Sequence, residues 1–446
     1  SVSTYGAPLT EAVSSGAVDE ALVDRAVLRV LAQKAEIGLL DADYEPERPD
    51  VIELDTAQQR NTALQLARES IVLLTNNGAL PLAPSAKLAV IGPLADDPFA
   101  MLGCYSFPAH VGVHHPEVPV GIDILTVVES LRAITQGSIT HAAGCEVKEP
   151  GRQGFAEAID AASSADVAIV VVGDRAGLFG RGTSGEGCDA EDLTLPGEQA
   201  ALVEAVLESG TPVVLVVLSG RPYALGQFAD RTSAIIQGFF PGQLGGQAVA
   251  EVLTGAVNPS GRLPVGIPRR PGSGPGTYLA PPLGAPNGVS NLDPSALFPF
   301  GHGIGYSELV WAQAHASSAE WDTQSNVHVS MDLRNDTDAE LADVVQVYLH
   351  RTGAQVTRPV RQLIAFHRVV VPARTTRTVE FTLHADLTSF TGLTQRVVQP
   401  GPVELLVARS SANVHTRLPI RLSGAERGVS FDRVMVAQVE VRQVSS

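Results

Sequence analysis

Glu186 stands between Gly185 and Gly187, with Asp189 and Asp192 close behind it. Glycine on both sides lets the backbone take conformations closed to other residues and come near a ligand. A carboxyl group offered in this way has the chemistry of a general acid, giving a proton to a departing oxygen and taking one back from water. The plain alternative is a polar surface loop, because acidic residues are common in such places. Cys188 reads either as a reactive thiol or, more simply, as a small residue filling a packed loop.

Positioning such a group takes a fixed element on each side. Before it, residues 167–173 (VAIVVVG) form a continuous β-branched run, the pattern of a strand buried on both faces. After it, Pro196 suits the first turn of a helix, where a missing N–H costs nothing. Residues 180–195 are therefore predicted as a loop at the carboxyl end of a parallel strand, where open α/β sheets bind ligands. Further strands are predicted at 71–74, 88–92, 211–218 and 233–237, with helices at 55–69, 153–165 and 198–209, and one ending near Leu253. This alternation implies βαβ units and a mostly parallel sheet. Asp96 and Asp97, after the second strand, read as turn caps before ligands. His110, His114 and His115 invite a metal, but no cysteine or carboxylate pattern completes a site, and none is expected. No G-x-G-x-x-G follows a first strand, and the lysines (Lys34, Lys87, Lys148) include no phosphate-loop lysine, so neither nucleotide nor other cofactor is expected.

Four domain-level segments follow. Residues 1–45 read as helices, with Thr10 as an N-cap and Leu22, Ala26, Val27, Val30 and Leu31 on one face of the second helix. That stripe needs another surface to pack on. Residues 45–50, with two prolines among charges, read as a linker into an α/β domain at 46–270. A Pro/Gly-dense junction occupies 271–310, where His302 is expected to be structural. From Asn326 the pattern changes to period two, with short strands at 327–335, 343–351, 363–371 and 377–385, so 311–446 is predicted as a β-sandwich.

The 446 residues carry a formal net charge of −17, which argues against nucleic acid as a partner. No apolar run is long enough to span a bilayer. The three cysteines, Cys104, Cys145 and Cys188, make neither a disulfide framework nor a zinc motif; they lean toward a reducing compartment and are compatible with export. The chain starts at Ser1 without a secretory signal and is expected to be a processed or partial polypeptide.

The run RGTSGEGCDAEDLTLPGEQ, from Arg181 to Gln199, resembles the acid/base loop of glycoside hydrolase family 3, the family of many β-glucosidases and β-xylosidases. ARESIVLLTNNGALPL (67–82), PGQLGGQAVAEVLTGAVNPSGRLPVGIP (241–268) and LFPFGHGIGYS (297–307) resemble other parts of the family's second domain, and DRAVLRVLAQKAEIGLLD (24–41) resembles the last helix of its (β/α)8 barrel. The period-two region is similar to the fibronectin type III-like domain that ends many members. The resemblance implies a retaining exo-β-glycosidase. Glu186 becomes its acid/base, and Asp189, Arg181 and Ser184 become sugar contacts. The nucleophilic aspartate lies on a barrel that is expected to be mostly missing here. No position matches the nucleophile's motif, and Asp43, followed by Tyr44, is not assigned that role. Ala190 stands where many relatives carry an arginine, which puts that contact in doubt. The expected partners are a β-linked glycoside, the barrel portion and, as an open matter, a second copy of the chain. The reading from another class is a carbohydrate-binding or scaffold module without catalysis.

Overall fold

A computed structural model of the chain describes residues 2–46, 53–273, 276–286 and 288–444. It separates into two compact units, Ser1–Thr56 and Ala57–Ser446. Residues 47–50 of the expected linker lie outside the described residues.

Among the described residues the first unit holds two α-helices, α1 (Ala7–Ser14) and α2 (Glu20–Glu36). Thr10 is not an N-cap: Pro8 suits a first turn, so α1 starts earlier, with Gly6 as its cap. Asp19 caps α2, its side chain accepting from the Ala21 amide at 3.0 Å. Leu22, Val27, Val30 and Leu31 remain exposed, and no residue of either helix is buried.

The second unit begins with α3 (Ala57–Ser70) and builds a six-stranded sheet. Its strands are β1 (Val72–Asn76), β2 (Leu88–Ile91), β3 (Ile139–Ala142), β4 (Val167–Gly173), β5 (Val213–Leu218) and β6 (Ala234–Gln237), in the order β1-β6-β5-β4-β2-β3. All neighbours pair parallel except β1 with β6. The continuous apolar runs exist because helices cover both faces. A helical turn with no buried residue, α4 (Phe107–His110), precedes α5 (Val127–Ile134), and Val90, Ile169, Val171, Val214 and Ile236 pack with residues of α3, α5 and the helix at Gly245–Thr254. Ile91, Val170, Val172, Leu215 and Val217 face α6 (Phe155–Ser163) and α7 (Gln199–Leu207). The remaining helix, α8 (Gly245–Thr254), ends at Gly255 in the left-handed conformation, φ 76°.

Strand order fixes where a site can form. From β2 the chain goes to β3 on one side, then returns to β4 on the other. The crevice at the carboxyl ends of β2 and β4 is thus the topological switch point of the sheet. The edge strand β1 is covered on its open side: the Ile304 amide donates to Leu73 O at 3.0 Å, and His302 Nε2 lies 2.9 Å from Leu74 O. Burial holds His302 below the ordinary histidine pKa, so the ring is neutral and donates from Nε2. This is the structural histidine expected from the sequence.

The C-terminal region is a two-layered β-sandwich. One sheet contains Asn326–Arg334, Thr376–His384 and Gln438–Gln443; the other contains Gln362–Val371, Leu341–His350, Gly401–Ala408 and Val414–Ser423. Alternate residues, such as Val327, Val329, Met331 and Leu333, fill the space between them. A buried carboxylate, Asp343, joins this sandwich to the α/β part. It receives Arg262 Nη2 at 2.5 Å, Trp311 Nε1 at 2.9 Å and Arg409 Nη1 at 3.0 Å. Among the described residues no helix is long and apolar enough to cross a membrane.

Candidate active site

The loop after β4 is longer than the sequence pattern suggested, beginning at Asp174 rather than Gly180. It has two limbs that run side by side. Thr183 N donates to Arg175 O (2.9 Å), Gly177 N to Ser184 O (2.9 Å) and Phe179 N to Glu186 O (2.8 Å). The near-constant offset means that the second limb follows the first in the same direction, so residues 180–182 must loop back completely. Phe179 (φ 54°) and Gly180 (φ 82°) supply the left-handed turn this requires.

Three groups hold the loop from below: Asp174 and Gln199, which are buried, and Arg221, which is half-buried. Asp174, fully buried, accepts from Tyr223 Oη at 2.5 Å, Thr183 Oγ1 at 2.7 Å and the Gly220 amide at 2.9 Å. Burial, and then the Asp174 charge, pushes the Tyr223 hydroxyl far above its ordinary pKa, so it stays a donor. Gln199 takes the place of a strand partner at the end of β4. Its Oε1 accepts from Gly173 N (2.7 Å), while Nε2 donates to Gly173 O (2.9 Å) and Val147 O (2.7 Å). The Arg221 guanidinium donates to the carbonyls of Thr183 and Cys188, tying both ends of the second limb to the loop after β5. Cys188 is buried, its thiol 3.5 Å from Gly177 O, and fills the packed loop.

Glu186 projects from the top of this base and is exposed. Its carboxylate accepts a hydrogen bond from Tyr105 Oη, the one side-chain partner it has among the described residues. Tyr105 comes from the loop after β2, so the two residues meet across the switch point. That loop is tied to the acid loop by Asp97, whose Oδ2 receives Arg175 Nη2 at 2.5 Å and Nε at 3.0 Å, and whose Oδ1 accepts the Phe99 amide at 3.0 Å. Asp96 accepts from Thr126 Oγ1 at 2.8 Å, so both aspartates are engaged internally.

The other sequence-predicted residues occupy different levels. Arg181 is exposed, with Nη1 3.0 Å from His114 Nε2 and Nε donating to Leu178 O at 3.2 Å. Asp189 is exposed beyond the second limb. Ser184 is buried, its hydroxyl packed so closely on Gly220 that a Cβ there would lie 2.1 Å from it. A cavity of about 530 Å³, with Phe99, Leu102, Phe107 and Val113 in its wall, opens beside Arg175 and Arg181. Asp174, Tyr105, Tyr223 and Arg221 were not singled out by sequence reasoning. Among the described residues no three His, Cys, Asp or Glu side chains converge as metal ligands would.

Gly185 is the most constrained position of the loop. Its φ is 127°, and a Cβ would sit 2.1 Å from Gly177 O and 2.7 Å from Cys104 Cβ. Gly185→Ala is therefore expected to destabilise the loop by about 1–3 kcal/mol from backbone strain alone, with the overlap adding to it. Hydrogen exchange at the amides of Gly177 and Phe179 should accelerate and the thermal midpoint fall. Unchanged exchange would contradict this account of the loop.

Residues 71–306 match the Glycosyl hydrolase family 3 C-terminal domain, and residues 343–411 match the Fibronectin type III-like domain. A beta-xylosidase of Formosa agariphila is 33% identical over 396 residues, covering 87% of this chain and 54% of the relative. A periplasmic beta-glucosidase of Salmonella typhimurium is 31% identical over 442 residues, covering 92% of this chain and 57% of the relative. The crystal structure of a beta-glucosidase from Listeria innocua in complex with isofagomine superposes with a TM-score of 0.78 at 28% identity, covering 93% of this chain and 57% of that one. The chain spans about half the length of the curated relatives it matches.

Proposed function

The chain belongs to glycoside hydrolase family 3, and from that premise we propose that it supplies the acid/base half of a retaining exo-β-glycosidase acting on β-glucosides or β-xylosides. The observation that carries this reading is the exposed Glu186 carboxylate at the switch point of the sheet, on a loop fixed from below by Asp174, Gln199 and Arg221. A retaining site needs a second carboxyl group about 5 to 5.5 Å from the first, acting as nucleophile. In this proposal that group comes from a barrel domain outside residues 1–446. Glu186 protonates the leaving oxygen as the nucleophile attacks the anomeric carbon, then removes a proton from the water that hydrolyses the glycosyl-enzyme.

The supporting residues divide by exposure. In this reading Arg181 and Asp189, both exposed, contact the sugar or its leaving group, and the apolar wall beside Arg181 suits a leaving group with apolar surface. Ser184 would act by seating the loop on Gly220 rather than by direct contact, because its hydroxyl is turned inward.

The test is an assay of this chain together with its nucleophile-bearing domain on nitrophenyl β-glucoside and β-xyloside. NMR would follow which anomer is released first. Release of the β anomer supports the reading. Release of the α anomer, or inertness toward every glycoside tried, overturns it, and inertness with measurable sugar binding points to the scaffold alternative.

A further inference from the structure

We propose that Tyr105 is a positioning residue for Glu186: its hydroxyl engages one carboxylate oxygen, Oε2, and so assigns the transferable proton to the other, Oε1. This rests on the acid/base reading of Glu186 and deepens it.

A glutamate between two glycines has little to restrain it. Gly185 and Gly187 both have positive φ, at 127° and 68°, and neither carries a side chain to pack beside it. Holding a free glutamate side chain in one orientation costs rotamer entropy. Tyr105 is built to meet that cost, having only two side-chain torsions and a braced ring. His110 stands edge-on to it, with ring centroids 5.5 Å apart and planes at 88°. The backbone beneath is held as well. Cys104 packs against Gly185 so closely that no Cβ fits there, and the Asp97–Arg175 pair joins the same two loops. The Cys104 side chain thus rests on the Gly185 backbone, and at the next residue of each loop the hydroxyl meets the carboxylate.

The donor count then decides the geometry of proton transfer. A tyrosine hydroxyl has one proton to donate, and a neutral carboxyl group has one O–H. With Oε2 accepting from Tyr105, the acid proton sits on Oε1. In the first step that proton passes to the glycosidic oxygen as its bond to the anomeric carbon breaks and the nucleophile's bond forms. The leaving group departs as a neutral alcohol, and Glu186 is left as a carboxylate. Its bond from Tyr105 becomes charge-assisted and therefore stronger, which favours the transition state over the ground state. In the second step Oε1 takes a proton from water as the water oxygen bonds to the anomeric carbon and the nucleophile leaves. Tyr105 gives up no proton at any stage. Its hydrogen bond to Glu186, and then that carboxylate's charge, raise its pKa above the ordinary tyrosine value.

The experiment compares Tyr105→Phe and Glu186→Ala in the enzyme assembled with its nucleophile-bearing domain, across aryl and alkyl β-glycosides of graded leaving-group acidity. Phenylalanine keeps the ring against His110 and deletes the hydroxyl. For Tyr105→Phe, kcat/KM on alkyl glycosides should fall about ten- to a hundredfold, kcat/KM on dinitrophenyl glycosides, which reports a first step that needs no acid, should be nearly unaffected, and azide should not rescue. A uniform loss on all leaving groups, or a lowered thermal midpoint that accounts for the loss, makes Tyr105 scaffolding only and overturns the proposal. Wild-type behaviour of Tyr105→Phe also overturns it, while a leaving-group-dependent, azide-rescued Glu186→Ala would leave the acid/base reading standing. If Glu186→Ala itself behaves as wild type, the acid/base reading falls and the role of Tyr105 falls with it.

Discussion

Replacing Glu186 with alanine should lower hydrolysis of alkyl β-glycosides by about 10²- to 10⁴-fold, the usual contribution of a general acid–base group. The loss should depend on the leaving group. An alkoxide cannot leave unprotonated, whereas a nitrophenolate can, so cleavage of nitrophenyl glycosides should suffer least. The second half-reaction loses its base in both cases, so the glycosyl-enzyme should accumulate and an initial burst of nitrophenol should appear. Added azide needs no deprotonation and should restore turnover, yielding a β-glycosyl azide. Glu186 is exposed and its loop is held through Asp174, Gln199 and Arg221, so the variant should keep the wild-type thermal midpoint. A loss of equal size on every substrate, without rescue, would assign Glu186 a different role.

The largest effect on stability is expected at Asp343. Its side chain is 4% exposed and faces Arg262, itself 12% exposed, and Arg409. Removing a buried carboxylate leaves Arg262 without its carboxylate partner, at a cost of about 3–5 kcal/mol, while Arg409 keeps Glu308 at 3.4 Å. Here two guanidiniums and the Trp311 indole N–H lose one acceptor together, and Arg409 is held over the Trp311 ring, 4.5 Å from its centroid. Arg262 belongs to the α/β part and the other partners to the sandwich. Asp343→Ala should therefore weaken the coupling between them as well as the fold. Calorimetry should show a lower first transition, with α/β part and sandwich melting separately. A shift equivalent to less than about 1 kcal/mol would place the cluster among pairs whose desolvation cancels their attraction.

The parts of this molecule that were legible in its sequence are those whose signal is local. VAIVVVG and VVLVVL announce strands buried on both faces, because they are continuous apolar runs in which most residues are β-branched. The period-two runs from Asn326 announce a sandwich through alternation, apolar residues facing inward and polar ones outward. Glu186 stands out in the sequence through its two flanking glycines together with the resemblance of its loop to the family. β3 was missed: ITHA lies at a sheet edge with only Ala142 buried, so its pattern carries little hydrophobic signal. The groups that hold Glu186 in place were missed for another reason. Tyr105 lies 81 positions from Glu186, and Asp174 meets Gly220 and Tyr223 at separations of 46 and 49. Nothing near Tyr105 or Asp174 in the chain marks them. Only the strand order, which brings the loops after β2, β4 and β5 together, makes them neighbours. Ser184 shows the converse, since a hydroxyl within a motif looks available until the fold turns it beneath the loop.

The cover over β1 bears on how the protein avoids sticking to itself. A sheet with an open strand offers a row of backbone donors and acceptors to any other chain, and natural proteins blunt such edges. Here the blunting is done by residues 302–304, on the segment that leads directly into the sandwich. The sandwich's tether thus doubles as a guard against edge-to-edge aggregation. An α/β domain excised upstream of that segment would keep every strand of its sheet and lose its solubility.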